Sequence, residues 1–270
     1  MALQCLAQRG ACARAEALCI AEVRFLICLF LSDRELVYPG RATLARLVTV
    51  AAASGLPIAI LSGRTELSGE LVVSGGPHRV VLRGSGKAKA ELPTLCSRVV
   101  APLLVVRAGA VALEDLRLEQ ACPHHGVDAE ALHVAGEGAA VECRNVEFRS
   151  HSDCGVCVSQ GRLSLTRCRI SRCGGTGLVL FGGAAQLHGS TVRCNGRCGV
   201  YARDGRVDFL GGNRIEENAR SGIFFAMHMR GTWVSNNTLR RNGPPPVRLL
   251  QDCHLHGWVQ RGTAHPWHLS

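Results

Sequence analysis

Apolar and polar residues alternate along the chain between Leu132 and Asn242, and the alternation recurs at a nearly fixed interval. Each recurrence starts at an apolar residue: Leu132, Val156, Leu178, Val200 and Ile223. These starts are separated by 24, 22, 22 and 23 residues. Alternation with a period of two is typical of strands, and a fixed interval of roughly 20–50 residues indicates a stacked repeat.

Each repeat contains three short apolar segments separated by turns. The opening segment is apolar at its first and third positions, and a second segment follows a turn glycine, with Val234 as its inward residue in the last coil. The third segment contributes one apolar column: Phe148, Ile170, Val192, Ile215 and Leu239. Three strands and three turns in about 22 residues predict one coil of a right-handed single-stranded parallel β-helix, an all-β solenoid.

Two columns of turn residues support this register. The first stands three residues after the third segment: His151, Cys173, Asn195, Asn218 and Asn242. Asn at such a position can bond the backbone of the neighbouring coil and tolerates a left-handed turn. The second column precedes a glycine in each coil: Cys154, Thr176, Cys198 and Ser221. Those glycines, Gly155, Gly177, Gly199 and Gly222, are predicted to take positive φ, where a Cβ would clash.

The glycine turns, alternating strands and Asn column resemble the parallel β-helix repeats of the pectate-lyase-like superfamily. They are also similar to the short-coil β-helices of F-box and Shc-binding proteins. The resemblance covers roughly residues 56–243 and implies the fold. It does not select a function, because the superfamily includes lyases, glycosidases, epimerases and non-enzymatic binding modules.

Four segments are predicted along the chain. Residues 1–40 form an N-terminal leader that is helical or poorly ordered. Residues 41–55 are helical in composition and end at a glycine, so a helix is expected to cap the open end of the solenoid. The β-helix occupies residues 56–243. Three successive prolines then interrupt the strand pattern, and residues 244–270 are predicted to be a tail or a C-terminal cap.

The apolar run Val23–Leu31 is too short to span a bilayer, and charged residues precede it. No transmembrane segment is therefore expected, with a weak signal anchor as the alternative. The net charge of +10 is compatible with an acidic partner. However, only Lys87 and Lys89 are lysines, and an arginine bias beside abundant Ala and Gly is also what GC-rich coding produces. A protein or polysaccharide partner is expected, a nucleic-acid partner is not, and the chain is expected to be a monomer without a cofactor.

The repeat accounts for several of the fourteen cysteines. Four of them occupy positions that Leu, Thr, Asn and Ser fill in other coils: Cys143, Cys154, Cys173 and Cys198. They are interpreted as small buried residues. An even number of cysteines would suggest disulfides in a secreted protein. Without a clear secretion signal, the pattern favours reduced thiols and an intracellular, cytoplasmic location over secretion.

Two cysteine pairs have spacings that superficially suggest zinc, namely Cys154 with Cys157 and Cys194 with Cys198. Both pairs lie on a strand-and-turn path, which is not the path of a zinc knuckle, and the second pair has three intervening residues. No zinc site is therefore predicted at either pair.

The loop of residues 119–130 stretches the repeat and contains metal-ligand residue types. Cys122, His124 and Asp128 are weak metal candidates in this loop. Adjacent histidines seldom reach the same ion, and nothing nearby in the sequence completes a site. A solvated loop is therefore the preferred interpretation, and the Cys-His-Leu-His stretch at residues 253–256 is interpreted in the same way.

The outward positions of the opening strand form a strip with two columns. The first column is His133, Cys157, Val179, Tyr201 and Phe224, and the second is Ala135, Ser159, Phe181, Arg203 and Ala226. In β-helix enzymes the corresponding sheet holds an extended sugar chain, and aromatic faces also suit protein partners. The predicted ligand-binding residues are Phe181, Tyr201, Arg203, Asp204 and Phe224. The alternative is that a terminal segment packs over the strip.

The same face also carries weak candidates for catalysis. Glycoside hydrolysis needs two carboxylates about 5–9.5 Å apart. Asp204 and Glu137 lie three coils apart, which is about 14 Å by coil rise. No acidic cluster accompanies Arg203, the candidate base of a lyase. Arg203 and Asp204 are therefore weak catalytic candidates, together with the loop of residues 119–130.

Two hypotheses about function follow. The first is a non-catalytic binding or scaffold module that presents the side of the β-helix to a protein or glycan. The alternative is a carbohydrate-active enzyme, either a polysaccharide lyase, a hydrolase or an epimerase. An intact repeat with an aromatic strip and no paired carboxylates favours the first hypothesis.

Overall fold

A computed structural model describes residues 36–38, 44–61, 63–85, 91–124, 128–234, 236–250 and 252–257. Within these ranges the chain is an all-β solenoid with one helix, α1 (Leu44–Ser54). Strands of successive coils pair in parallel at every register given by the structure. Each coil visits three sheets, which are called the first, second and third sheet in that order. The predicted parallel β-helix is confirmed.

The strands of the three sheets have the following bounds. The first sheet contains β4 (Leu71–Ser74), the start of β7 (Leu104–Glu114), β9 (Leu132–Val134), β12 (Val156–Val158), β15 (Leu178–Leu180), β18 (Val200–Ala202), β21 (Ile223–Phe225) and β24 (Val247–Leu249). The second contains β1 (Leu36–Tyr38), β2 (Ile58–Ile60), β5 (Val80–Gly84), the end of β7, β10 (Ala139–Arg144), β13 (Arg162–Thr166), β16 (Ala184–His188), β19 (Gly205–Gly211), β22 (Met229–Trp233) and β25 (His254–His256). The third contains β3 (Arg64–Leu67), β6 (Thr94–Ser97), β8 (Arg117–Gln120), β11 (Glu147–Ser150), β14 (Arg169–Ser171), β17 (Thr191–Arg193), β20 (Arg214–Glu216) and β23 (Thr238–Arg240).

The core is the interior of the solenoid. The first and third residues of each short first-sheet strand from β9 to β21 are fully buried, as the alternation predicts. At the N-terminal end, α1 contacts β2, β4 and β5 and buries one face, which includes Leu47, Val48 and Ala51. The predicted capping helix is thus present. In the last full coil Trp233, not Val234, is the buried residue of the second sheet, because Trp233 pairs with Phe209.

The predicted Asn column forms a buried hydrogen-bonded ladder. The backbone N–H and Nδ2 of Asn195 both donate to Oδ1 of Asn218, at 3.2 and 2.8 Å. Asn218 donates in the same way to Oδ1 of Asn242, at 3.1 and 2.8 Å. A second ladder, which the sequence analysis missed, joins Ser190, Asn213 and Asn237 between the second and third sheets. The ladders satisfy turn N–H groups that strand pairing cannot reach.

The prediction of positive φ at the column glycines is wrong. Gly155, Gly177, Gly199 and Gly222 are not among the residues with positive φ. They are required for close approach instead: a Cβ on Gly199 would lie 2.6 Å from the carbonyl oxygen of Gly222. The left-handed conformation occurs earlier in the same connection, at the residue that follows each third-sheet strand: Arg172, Cys194, Glu217 and Arg241.

Parallel pairing continues beyond the prolines at which the sequence predicted the end of the repeat. β24 pairs with β21, and β25 pairs with β22. The prolines lie in the turn before β24, where no ladder N–H is needed, so they do not stop the stack. The predicted N-terminal leader lies outside the described residues, apart from β1. Among the described residues, no helix is long and apolar enough to cross a membrane.

Candidate functional site

A cleft of about 310 Å³ lies on the outer face of the first sheet and along the turns that lead into it. It follows the outward strip of the sequence analysis, because side chains at the middle of the first-sheet strands point away from the core. One end of the cleft carries aromatic and arginine side chains. The other end carries carboxyl and thiol groups.

The aromatic end is formed by neighbouring coils. Tyr201 and Phe224 pair across β18 and β21, and their rings meet edge to face with centroids 5.3 Å apart. The guanidinium of Arg248 lies 4.9 Å from the centroid of the Phe224 ring. Phe181 also lines the cleft and is 51% exposed. The structure therefore brings three of the predicted ligand-binding residues, Phe181, Tyr201 and Phe224, to one cleft.

The other two predicted ligand-binding residues lie outside the lining of this cleft. Arg203 is exposed, and its Nε contacts the sulfur of Met227 at 3.1 Å. Asp204 is exposed and accepts a hydrogen bond from the N–H of Gly205 at 2.7 Å. Both are thus placed at the turn after β18. Their suggested catalytic role stays a prediction.

The thiol end begins at a cross-strand pair. His133 and Cys157 are register partners in β9 and β12, and Nε2 of His133 lies 2.8 Å from Oγ of Ser159. The neighbouring Cys154 thiol, together with His133, lowers the pKa of Cys157 below the usual thiol range. Interaction with Cys157 raises the pKa of His133 in turn. This arrangement favours a thiolate beside an imidazolium.

Next to this pair lies a cluster of three ligand-type groups. A carboxylate oxygen of Glu130, a carboxylate oxygen of Asp153 and the sulfur of Cys154 all lie within 4.8 Å of one another. Glu130 and Cys154 are buried, and Asp153 is half-buried. Burial raises the pKa of Glu130 to about 7. All three residues line the cleft.

The metal candidates proposed from the 119–130 loop do not form this cluster. Cys122 is buried, and its backbone N–H donates to Oε1 of Gln120 at 3.1 Å. His124 and Asp128 are exposed, and Asp128 alone of the three lines the cleft. At residues 253–256, Cys253 is buried while the exposed rings of His254 and His256 stack at 6.2 Å.

A wider and shallower depression of about 580 Å³ lies over the turns after the third sheet. Its surface includes Cys173 and Asn195, whose polar groups belong to the Asn ladder. Glu217, on its rim, accepts bonds from Cys194 and Arg241. These groups already have partners within the fold, so the first-sheet cleft is the better candidate site.

Sequence reasoning missed Glu130 and Asp153 as site residues. It interpreted Cys154 as a small buried residue and predicted no zinc at its pair with Cys157. The column that contains Cys154 would have revealed Glu130. Leu132 pairs with Val156, so Glu130 stands one coil before Cys154 in the same turn position. Glu130 ends the overlong loop, where the repeat spacing is irregular, so the sequence alone does not show that Glu130 belongs to this column.

Residues 130–253 match a family model described as a right handed beta helix region. The match begins at Glu130 and ends just before β25, and it agrees with the parallel solenoid seen in the structure. Over this region the family match and the structure agree on a parallel β-helix fold. No curated protein and no solved structure gives a significant match.

Proposed function

We propose that this chain is a non-catalytic binding module that holds an acidic segment of a partner protein in the first-sheet cleft. The observation that carries the proposal is the combination of aromatic and arginine side chains at one end of that cleft. The aromatic residues are Phe181, Tyr201 and Phe224, and the arginines that line the cleft are Arg197 and Arg220. Arg248 lies outside the lining, against the ring of Phe224. Aromatic residues and arginine are enriched at protein interfaces and at their binding hot spots.

The ring geometry favours a protein over a glycan. A sugar would stack on an open aromatic face, but one face of Phe224 is covered by Arg248 and its neighbour Tyr201 meets it edge to face. Phe181 remains as an exposed apolar contact, which suits an apolar side chain of a peptide.

Charge supports an acidic partner. Arg197, Arg220 and Arg248 are all exposed, and a guanidinium binds a carboxylate through two parallel hydrogen bonds. The net charge of +10 would also speed the approach of an acidic segment. The arginines would recognise carboxylates while Phe181 and Tyr201 contact apolar side chains.

A displayed peptide library tests the proposal. Selection on the purified protein should enrich sequences that combine acidic and apolar residues, and the affinity of a selected peptide should fall with added salt. Tyr201→Ala and Arg248→Ala should each weaken the affinity for that peptide by about tenfold or more. Hot-spot residues contribute over about 1.4 kcal/mol to the free energy of binding. Calorimetric titration gives these affinities.

Two substitutions on the second sheet provide matched controls. Leu210 is 44% exposed there, and Arg230 is exposed on β22. Leu210→Ala and Arg230→Ala should leave peptide affinity within about twofold. Equal losses in the controls, or enrichment of peptides without acidic residues, would contradict the proposal.

The carbohydrate-active enzyme is tested in parallel by incubating the protein with acidic and neutral polysaccharides, with and without calcium. Cleavage that Arg203→Ala or Asp204→Ala abolishes would replace the binding module by an enzyme. Saturable binding of an uncleaved polysaccharide, with no peptide selected, would replace the protein partner by a glycan.

A further inference from the structure

At the carboxyl and thiol end of the cleft, one buried carboxylate oxygen lacks a hydrogen-bond partner among the described residues. Glu130 is 4% exposed and lines the cleft, and its Oε2 has no hydrogen-bond partner in the described part of the chain. A buried carboxylate oxygen without a partner is costly, and such a group requires a proton or a cation. Buried glutamates elsewhere are bonded: Glu147, for example, accepts from Arg117 at 2.7 Å.

The surrounding atoms supply the donors that a cation would need. A carboxylate oxygen of Asp153 and the sulfur of Cys154 lie within 4.8 Å of each other and of a Glu130 oxygen. We propose that Glu130, Asp153 and Cys154 bind a divalent metal ion of the zinc type. Zinc accepts thiolate and carboxylate ligands together, whereas calcium and magnesium take oxygen ligands and copper(I) selects sulfur.

The fold holds these ligands in place from two successive coils. Oγ of Ser150 donates to the carbonyl oxygen of Ala129 at 2.8 Å and accepts from the N–H of Asp153 at 3.1 Å. The N–H of Ala129 in turn donates to Oδ2 of Asp153 at 3.4 Å. These bonds tie the turn before Glu130 to the turn that contains Asp153 and Cys154. A metal site needs such supporting contacts to keep its ligands oriented.

Three protein ligands give the zinc-type ion an open position. A tetrahedral ion with three protein ligands keeps its fourth position for water or for a group on a bound molecule. That molecule would lie in the same cleft as the aromatic end. This site departs from the sequence-based expectation of no zinc at Cys154 and no cofactor. It does not depend on the proposed peptide binding, because its test uses the metal ion alone.

Metal titration of the full chain, purified reduced and metal-free, tests the site. Zinc should bind with one equivalent per chain, and cobalt(II) should produce the absorption band of a cobalt–thiolate bond. Cys154→Ser should remove that band. Glu130→Gln and Asp153→Asn should each weaken zinc affinity by more than about tenfold. Even the loss of a residue that only supports a ligand usually weakens metal affinity by about that factor.

Cys198→Ser is the matched control, because Cys198 occupies the equivalent turn position two coils later and lines the same cleft. It should retain both the band and the affinity. Circular dichroism of each metal-free variant identifies any that fails to fold. If Cys154→Ser does not fold, Asp153→Asn, at a half-buried position, still tests the site. Absence of saturable uptake, or binding that survives both Glu130→Gln and Cys154→Ser, overturns the proposal and leaves Glu130 as a protonated buried acid.

Discussion

The outer face of the third sheet and the cleft beside the first sheet differ in how their buried carboxylates are hydrogen-bonded. On the third sheet Glu147 accepts from Arg117 and Arg149, and Glu216 accepts from Arg214 and Arg240. In the turn that leads into the first sheet, Oε2 of Glu130 has no hydrogen-bond partner among the described residues, although arginines line the far end of the same cleft. Both faces are built by the same coil repeat.

The difference distinguishes charged groups that stabilise the fold from charged groups that are free to bind another molecule. On the third sheet Glu147 and Glu216 are each matched by arginines from their own and a neighbouring coil, so these charges are satisfied within the fold. On the first sheet the acidic and basic groups are kept at opposite ends of a cleft. Charges left apart in this way remain available to molecules from outside.

The largest effect is expected where both faces depend on the same stacking. Gly199→Val would place a Cβ 2.6 Å from the Gly222 carbonyl oxygen and 2.8 Å from the Asn218 amide nitrogen. Since the nearest obstacle is a backbone carbonyl oxygen, we expect a loss of about 3 kcal/mol in the free energy of unfolding, measured by denaturant titration. Gly138→Val is the control, because that Cβ would meet nothing within 4 Å. Equal stability of the two variants would show that the coils do not stack this closely.

A smaller effect is expected from the third sheet. Glu147→Gln replaces a carboxylate that two arginines bond, and we expect a loss of about 1.5–3 kcal/mol at neutral pH. Burial by itself would raise the pKa of Glu147, but hydrogen bonds from Arg149 and Arg117 lower it overall. Arg169 also faces Glu147, as its register partner on β14.

The pH dependence of that loss follows from the direction of the shift. A lowered pKa in the folded state adds stability that is present above the ordinary value of 4.5 and disappears as pH falls through the folded value. The gap between wild type and Glu147→Gln should therefore narrow below pH 4.5, as urea titrations at several pH values would show. Glu137→Gln, at an exposed turn, should change stability by no more than about 0.5 kcal/mol. A gap that stays constant with pH would contradict the ion-pair account.

The smallest effect is expected from the same substitution in the first-sheet cleft. Glu130→Gln, studied without metal, should leave the free energy of unfolding unchanged or raise it by up to about 1 kcal/mol, since Oε2 has no hydrogen bond to lose. The measurement is the same denaturant titration. A loss as large as that of Glu147→Gln would remove the contrast between the two faces.

Much of the fold could be predicted because one physical requirement repeats. Each coil must bury the first and third residues of its opening strand, so Val156 and Val158 recur as Leu178 and Leu180 at a readable spacing. The ladder of Asn195, Asn218 and Asn242 was predictable for the same reason. The second ladder was missed because Ser190 stands where Asn213 and Asn237 stand in later coils.

The candidate site was only half predictable. Phe181, Tyr201 and Phe224 lie in regular coils, so strand alternation alone placed them on the outer face. Glu130 ends an irregular loop, and its partners Asp153 and Cys154 come from the next coil. Their meeting depends on the path of a loop that the repeat does not specify. The predicted positive φ at Gly199 was wrong for a related reason. A glycine required for close approach of two backbones looks the same in the sequence as a glycine required for positive φ.

The Asn ladders also have a direction. In each step the donors lie in the earlier coil and the acceptor oxygen lies in the later one, as from Asn195 to Asn218 and from Asn218 to Asn242. A chain that ended after Asn218 would leave two donors of that residue, its backbone N–H and one Nδ2–H, without their acceptor on Asn242. Removal of the earlier coils would leave one Nδ2–H of Asn218 without the carbonyl oxygen of Val192. During synthesis, each new coil therefore completes the one made before it, and the growing end of the solenoid stays unfinished until the next turn emerges.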